Sequence, residues 1–220
     1  MNYSIVMPVC LVREEHRSVV EETIKSIRET TNGDELIIID DGSRLDTSFL
    51  KDAADIYYRQ SNLGISKAWN VGKNKATHNY VAIVNDDIRL PIGWLSKLAQ
   101  CFSFKGCGVA APLRGGPNIS PTIIGNSVTS GRKFYPGYCF MLKRDRFFED
   151  FDEEFRSNCG DTDYWYRVES EGLTLMRAGF SVYHKEGGVL GNMGYKELSQ
   201  ESLQLFKNKW GFDPIPEYYG

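Results

Sequence analysis

Short apolar runs alternate with segments of helical periodicity through the first half of the chain, and this alternation narrows the folds open to it. The runs have the length of strands, and the segments between them are long enough for helices. Strands separated by helices are typical of βαβ units, whose strands lie parallel in one sheet. We therefore predict an α/β domain with a mostly parallel sheet flanked by helices. The predicted strands are residues 4–7, 36–39, 56–58, 80–84 and 108–111, and two predicted helices are residues 65–76 and 92–102.

The first helix is predicted from a capping box. Ser18 and Glu21 have the spacing at which a hydroxyl and a carboxylate satisfy the free N–H groups of a helix start. Val20, Ile24 and Ile27 then fall on one helical face. A helix is therefore expected to begin at this box.

The second half of the chain has a different pattern. Residues 113–137 are rich in Gly, Pro, Ser and Asn without a clear period, which predicts a long loop, and such loops are usually functional or mobile. With no internal repeat and no linker, residues 1–220 are predicted to form a single domain. Strands are then predicted at 138–142 and 180–183 and helices at 161–170 and 198–210, and the domain divides into 1–112, 113–195 and a C-terminal helix and tail, 196–220.

Composition argues against several classes of protein. The net charge of −3 leaves no broad basic surface, so nucleic acid is not indicated as a partner. The five cysteines include no CxxC pair, which argues against a disulfide scaffold or a zinc knuckle and fits a reducing compartment. We expect no targeting segment, and the sequence contains no apolar run of about eighteen residues that would span a membrane. We expect a cytoplasmic protein, and any association with a membrane is expected to be peripheral.

The sequence Asn85-Asp86-Asp87 follows a predicted buried strand. Two adjacent carboxylates at such a place cost desolvation unless a positive charge is near. A divalent cation, Mg²⁺ or Mn²⁺, satisfies this need and keeps coordination sites for phosphate oxygens. The alternative is that the two acids open a turn or cap the next helix.

Two more polar turns follow neighbouring strands. Asp41, in Asp40-Asp41-Gly42-Ser43, is able to accept a hydrogen bond from the imide of a uracil-type base, although these residue types are also common in plain turns. Asn62 and Gly64 precede a predicted helix, whose free N–H groups attract phosphate. The alternative for this segment is a capped, well-packed helix start.

A third acidic cluster lies at the start of a later helix. Asp161 and Asp163 complement the helix dipole there, and either also suits a general base. Arg167 follows Asp163 by one turn and is expected to hold that second carboxylate. His184 ends a predicted strand before a glycine-rich loop, whereas His16 and His78 lie in polar surroundings and are predicted to face solvent.

Taken in order, these segments resemble the family-2 glycosyltransferases of the GT-A fold. The resemblance covers nearly the whole chain, and it depends on the joint order of the motifs because no single one is decisive. The matching segments are residues 4–9, 38–43, 62–72, 82–87, 91–95, 137–141, 151–155, 160–167, 183–184 and 209–211.

The resemblance implies a metal-dependent, inverting transfer from a nucleoside-diphosphate sugar, with UDP or dTDP favoured, to a hydroxyl acceptor such as a carbohydrate. Residues 1–112 would then bind the donor and residues 113–195 would carry the acceptor and catalytic side. The implied nucleoside and donor contacts are Pro8, Val9, Asp41, Asn62, Gly64, Asn85 and Asp86; the implied metal ligands are Asp87 and His184, and the implied base is Asp161.

Two positions depart from the family pattern. Asn85 stands where many members have the first acid of the metal-binding DxD, and Gly160 stands where a Glu often precedes the base. Because Asn85 is neutral, the metal and ribose site has one negative charge fewer than it would have with an acid at this position. Gly160 leaves the choice of base between Asp161 and Asp163 open.

Two other functions remain open on sequence. A nucleotidyltransferase also uses acidic pairs and a metal, but it should carry a glycine-rich loop after the first strand, and residues 9–13 contain no glycine. The other is a non-catalytic protein that binds sugar nucleotides.

Overall fold

A computed structural model describes residues 2–130, 136–185 and 195–214. Within these ranges the chain alternates strands and helices, numbered here in chain order. The strands are β1 (Tyr3–Val9), β2 (Glu35–Asp41), β3 (Ile56–Gln60), β4 (Tyr80–Val84), β5 (Ile88–Arg89), β6 (Cys107–Gly116), β7 (Thr122–Ser130), β8 (Cys139–Lys143) and β9 (Thr174–His184). The helices are α1 (Glu14–Thr30), α2 (Ser48–Ala53), α3 (Ile65–Lys75), α4 (Trp94–Cys101), α5 (Gly160–Ser170) and α6 (Tyr195–Trp210).

All of these strands belong to one sheet, in the order β3-β2-β1-β4-β8-β6-β9-β5, with β7 also paired to β9. The four strands from β3 to β4 are parallel, as the βαβ pattern predicts. Beyond them the sheet is mixed, because β8 runs antiparallel to β4 and β6, and β5 and β7 run antiparallel to β9. The predicted α/β fold class is confirmed.

Both faces of the central part of the sheet are covered, which is why β1, β2, β4 and β8 are buried at nearly every position. Along β1, Ile5 and Met7 pack into one cluster of buried side chains and Val6 packs into another. The first cluster lies against α1 and α4, and the second lies against α3 and α5. A smaller cluster joins Phe206 of α6 to Phe155 and Cys159.

The predicted long loop at residues 113–137 is wrong for much of its length. β6 continues to Gly116, and β7 occupies Thr122–Ser130. Both strands pair with β9, but the register of each pairing shifts along the strand. The shift lies between Pro112 and Arg114 in β6 and between Ile123 and Val128 in β7. Such irregularities interrupt the two-residue alternation by which a strand is recognised in a sequence.

The predicted capping box at Ser18 is also wrong. Helix α1 begins at Glu14, so Ser18 lies inside the helix rather than at its start. Glu14 and Glu15 lie in the first turn, where negative charge complements the helix dipole. The predicted buried face is correct, since Val20, Ile24 and Ile27 are buried.

Helix α3 lies unusually close to the sheet. A β-carbon at Gly72 would come within 2.2 Å of the Val6 side chain, so only glycine fits there. The start of α3 lies at the edge at which β2 ends, because the Leu63 and Gly64 N–H groups donate to Asp41. In the part of the chain that the structure describes, no helix has the length and apolar character needed to cross a lipid bilayer.

Candidate active site

The parallel strands β1, β2, β3 and β4 end at one edge of the sheet, and the predicted donor residues lie at these ends or just beyond them. Val9 pairs with Asp40, and Pro8 pairs with Ile39 of β2. The next residue, Cys10, is half-buried. Its burial, followed by the nearby carboxylates of Asp41 and Asp86, raises the pKa of the Cys10 thiol to about 11. Because β1 lies between β2 and β4 in the sheet, two acidic turns that are distant in sequence lie on either side of the end of β1.

Asp41 holds the loop that leads into α3. Its Oδ1 accepts hydrogen bonds from the Leu63 N–H at 2.7 Å and from Gln60 Nε2 at 2.8 Å, and its Oδ2 accepts from the Gly64 N–H at 2.9 Å. A carboxylate has roughly four lone-pair sites, so these bonds leave it able to accept another. The predicted contact between Asp41 and a nucleotide base stays a prediction.

The loop containing Asn62 and Gly64 is tightly packed. Gly64 has a φ of 101°, and a β-carbon on it would come within 2.7 Å of the backbone of Arg156. The next N–H, of Ile65, donates to the Arg156 carbonyl at 3.0 Å. Together with the bonds from Leu63 and Gly64 to Asp41, this gives the start of α3 the contacts of a capped helix. Direct donor contacts of Asn62 and Gly64 stay predictions.

The turn Asn85-Asp86-Asp87 is fixed from two directions. The Asn85 N–H donates to the Tyr138 carbonyl at 2.9 Å. Thr23 of α1 donates its hydroxyl to the Asp86 carbonyl at 2.9 Å. Burial, and then the neighbouring Asp87 carboxylate, raise the pKa of Asp86 well above its ordinary value. The turn therefore concentrates carboxyl groups in a place that disfavours negative charge, as expected of a site for a cation.

Asp87 and His184 are brought together by a strand pairing. Ile88 of β5 lies opposite His184 at the end of β9, and the Lys185 N–H donates to the Asp87 carbonyl at 3.0 Å. As a result, His184 Nε2 lies 3.3 Å from Asp87 Oδ1. The Asp87 side chain is buried, and its Oδ1 has no hydrogen-bond partner among the described residues.

This pair fits a divalent cation. Two neighbouring ligands of an octahedral ion lie about 3 Å apart when each is roughly 2.1 Å from the metal, which is close to the separation of the two atoms. A carboxylate oxygen and an imidazole nitrogen suit Mn²⁺ and Mg²⁺, with Mn²⁺ tolerating the nitrogen better. The described residues contain no group of three or more His, Cys, Asp or Glu side chains able to hold a metal. Most of the coordination shell would have to come from a ligand or from water.

Tyr138 is a site residue that the sequence did not reveal. Its ring stacks on the imidazole of His184 with centroids 4.4 Å apart and planes inclined by 21°. Stacking of this kind fixes the plane of the histidine and so the direction of its nitrogen lone pairs. The contact joins the turn before β8 to the end of β9 through tertiary structure, and no local pattern signals it.

Asp161 and Asp163 occupy different environments, although they lie in the same turn of α5. Asp161 is half-buried, and its Oδ1 accepts the Thr162 N–H at 2.8 Å. Burial raises the pKa of the Asp161 carboxyl, while its hydrogen bonds with Thr162 act in the opposite direction. A carboxyl group with a raised pKa and few partners has the character of a general base.

Asp163 is fully buried, and both of its carboxylate oxygens are bound by side chains of the protein. Its Oδ2 accepts from Arg167 Nε at 3.0 Å, which confirms the predicted role of Arg167. Its Oδ1 accepts from Trp210 Nε1 at 3.0 Å and lies 2.9 Å from Lys209 Nζ. These contacts tie α6 to α5.

The other two histidines are less exposed than predicted. His16 is half-buried, and its burial lowers the pKa of the imidazole. His78 is half-buried, and its Nδ1 lies 3.1 Å from the Ser4 hydroxyl. The glycine-rich loop that follows His184 lies outside the described residues.

Comparison with known proteins adds to this geometry. Residues 4–159 match the family model described as glycosyl transferase family 2. The chain belongs to that family. The match spans β1 to the residue before α5 and includes the turns at Asp41 and Asp87, so the resemblance seen in the sequence is confirmed.

Solved structures share the fold. GalNAc-T7, described with UDP, GalNAc and Mn²⁺, is similar with a TM-score of 0.71 and 14% identity, over 95% of this chain and 50% of that one. TarS of S. aureus, residues 1–349 with UDP, is similar with a TM-score of 0.66 and 13% identity, over 96% of this chain and 72% of that one. The complex of TarS with UDP-GlcNAc is similar with a TM-score of 0.65 and 11% identity, over 97% of this chain and 74% of that one. The family-2 chain thus has the GT-A fold and spans half the length of GalNAc-T7.

Proposed function

We propose that this family-2 protein transfers a sugar from a nucleoside-diphosphate sugar, UDP- or dTDP-linked, to an acceptor hydroxyl with inversion at the anomeric carbon. The observation that carries the proposal is the 3.3 Å separation of His184 Nε2 from Asp87 Oδ1. Asp161 is linked to this pair through Gly137, which lies against its carboxylate, and the next residue, Tyr138, which stacks on His184. Residues 1–112 would supply the donor site, and residues 113–195 would supply the base and the acceptor side. The similar structures described with UDP, and with UDP and Mn²⁺, support this choice of donor and cation.

The donor would lie with its diphosphate beside Asp87 and His184. A divalent cation on these two side chains would supply positive charge to the departing diphosphate. Backbone near Pro8 and Val9 would hold the nucleoside, with Asp41 accepting from the base. Asn85 and Asp86 would face the ribose and the phosphates from the adjacent turn. Electrostatic stabilisation of the leaving group is expected to be the largest contribution to the rate.

Asp161 would act on the acceptor. Its carboxylate takes the proton of the acceptor hydroxyl while that oxygen bonds to the anomeric carbon from the face opposite the diphosphate. The bond between that carbon and the phosphate oxygen breaks in the same step, and the nucleoside diphosphate leaves with its electron pair. The limited set of hydrogen bonds to Asp161 and its raised pKa support this role over Asp163.

A panel of sugar nucleotides tests the proposal. Purified protein would be mixed with UDP-, dTDP- and GDP-sugars, Mn²⁺ or Mg²⁺, and simple carbohydrate acceptors. Release of nucleoside diphosphate, with a glycosylated product of inverted anomeric configuration, is the expected result. Release of pyrophosphate would indicate a nucleotidyltransferase, and tight nucleotide binding without turnover for any acceptor would indicate a binding protein.

A further inference from the structure

Gly137 lies directly against the carboxylate of Asp161. A β-carbon at this position would be 1.9 Å from Asp161 Oδ2, 2.8 Å from its Cγ and 3.2 Å from its Cβ. Gly137 does not have a left-handed φ, so the constraint on it is one of space and not of backbone conformation. We propose that Gly137 is a positioning residue, whose lack of a side chain lets the Asp161 carboxylate take its place in the acceptor site. This inference rests on the proposed function.

The backbone beside Gly137 is anchored, so it is the Asp161 side chain that has to yield to any added group. The carbonyl of Tyr138 accepts the Asn85 N–H, and its ring is stacked on His184. A shift of this segment would disturb the donor turn and the predicted cation ligand together. Rotation of the carboxyl group away from residue 137 disturbs neither.

The carboxylate is oriented from two sides. Thr162 donates its N–H to Oδ1, and Gly137 packs against Oδ2. Oδ2 is therefore the oxygen left to take the acceptor proton. A base displaced by about 1 Å loses much of its effect, because proton transfer needs a hydrogen bond of roughly 2.6–3.2 Å to the hydroxyl.

A thermal double-mutant cycle tests the contact without reference to activity. Gly137→Ala is expected to lower the melting temperature by about 3–8 °C. The same change made in Asp161→Ala is expected to cost much less, because the clashing carboxyl group is absent. Gly106→Ala is the matched control, since its β-carbon would meet nothing closer than 3.8 Å. An equal loss in both backgrounds, or none in either, overturns the inference.

A kinetic cycle tests the positioning role. Gly137→Ala is expected to lower kcat roughly 10- to 100-fold, part of the usual contribution of a general base, with an unchanged Kd for UDP. In the Asp161→Asn background it should lower kcat no further. Unchanged turnover in Gly137→Ala, or the same loss in both backgrounds, overturns the inference. If Asp161→Asn alone leaves turnover intact, the base assignment of the proposed function fails instead, and the thermal cycle still decides whether the contact exists.

Discussion

His184 Nε2 lies 3.3 Å from Oδ1 of Asp87, an oxygen that is buried and has no hydrogen-bond donor among the described residues. Burying a carboxylate oxygen without a hydrogen-bond donor lowers the stability of the fold, and such oxygens in folded proteins usually have a functional explanation. The imidazole is held in place by the ring of Tyr138. A cation shared by the two side chains would satisfy both of them.

The first prediction concerns the cation requirement. His184→Ala removes one of two protein ligands, so the Mn²⁺ concentration for half-maximal activity should rise at least about tenfold, as loss of even a supporting contact costs 10–100-fold in affinity. Tyr138→Leu keeps the imidazole but removes the stacking, and a smaller rise is expected. A metal titration of initial rates, with and without UDP, gives the measurement.

His78→Ala is the matched control for this titration, because its imidazole contacts Ser4 and Glu35 away from the candidate active site. It should leave the metal dependence unchanged. An unaltered Mn²⁺ requirement in His184→Ala would remove this residue from the metal site.

The second prediction separates the two acids of α5. Asp161→Asn keeps the shape of the side chain but cannot take a proton, so kcat should fall on the order of 10²–10⁴-fold. UDP binding, measured by calorimetry, should persist. Asp163→Asn should keep most of its turnover per folded molecule, because that carboxylate is occupied by Arg167, Lys209 and Trp210. The reverse pattern would transfer the role of base to Asp163.

The third prediction concerns stability and pH. Burial raises the pKa of Asp161 above the ordinary 3.8, so the folded protein holds this proton more tightly than the unfolded chain does. Stability must therefore fall as pH rises from the ordinary pKa through the raised one. Asp161→Asn, which has no charge to desolvate, should melt higher than the unchanged protein at pH 7, and the difference should shrink as pH falls toward 3.8.

Asp163→Asn is the counterpart in the same melting experiments. It leaves Lys209 and Arg167 without their shared carboxylate and should lose about 1.5–3 kcal/mol of stability at neutral pH. A drop in melting temperature for both variants would mean that Asp161, like Asp163, is a structural acid.

The parallel part of the fold was predictable because β1, β2 and β4 are buried on both faces, and such strands appear in the sequence as continuous apolar runs. β7 was missed because its pairing with β9 shifts register between Ile123 and Val128, which leaves no regular alternation.

The candidate site was predictable to a lesser degree. Asp87 and His184 were assigned through the resemblance, and the structure brings them together. Asp161 and Asp163 look alike in sequence, and they differ through partners on α6, more than forty residues later. The contacts of Tyr138 and Gly137 depend on how the turn before β8 lies against the end of β9 and the start of α5, which no local pattern records.

The last prediction tests whether Asp41 reads the nucleotide base or only shapes the loop. Asp41→Asn replaces one acceptor oxygen with an NH₂ group, which faces either the donors of Leu63 and Gln60 or the donor of Gly64. Both roles predict a loss of stability, because a donor loses its acceptor. A role in base recognition also predicts that UDP binding weakens by roughly 1–3 kcal/mol, about 5- to 150-fold in Kd.

Asp55→Asn is the matched control for this test, because Asp55 accepts the Leu36 N–H at 2.7 Å at the opposite end of β2. It should lower the melting temperature without changing the affinity for UDP. Calorimetric titration of UDP into both variants, at a temperature where both are folded, separates the roles. If Asp41→Asn loses stability and binds UDP as tightly as Asp55→Asn does, Asp41 shapes the loop and does not contact the base.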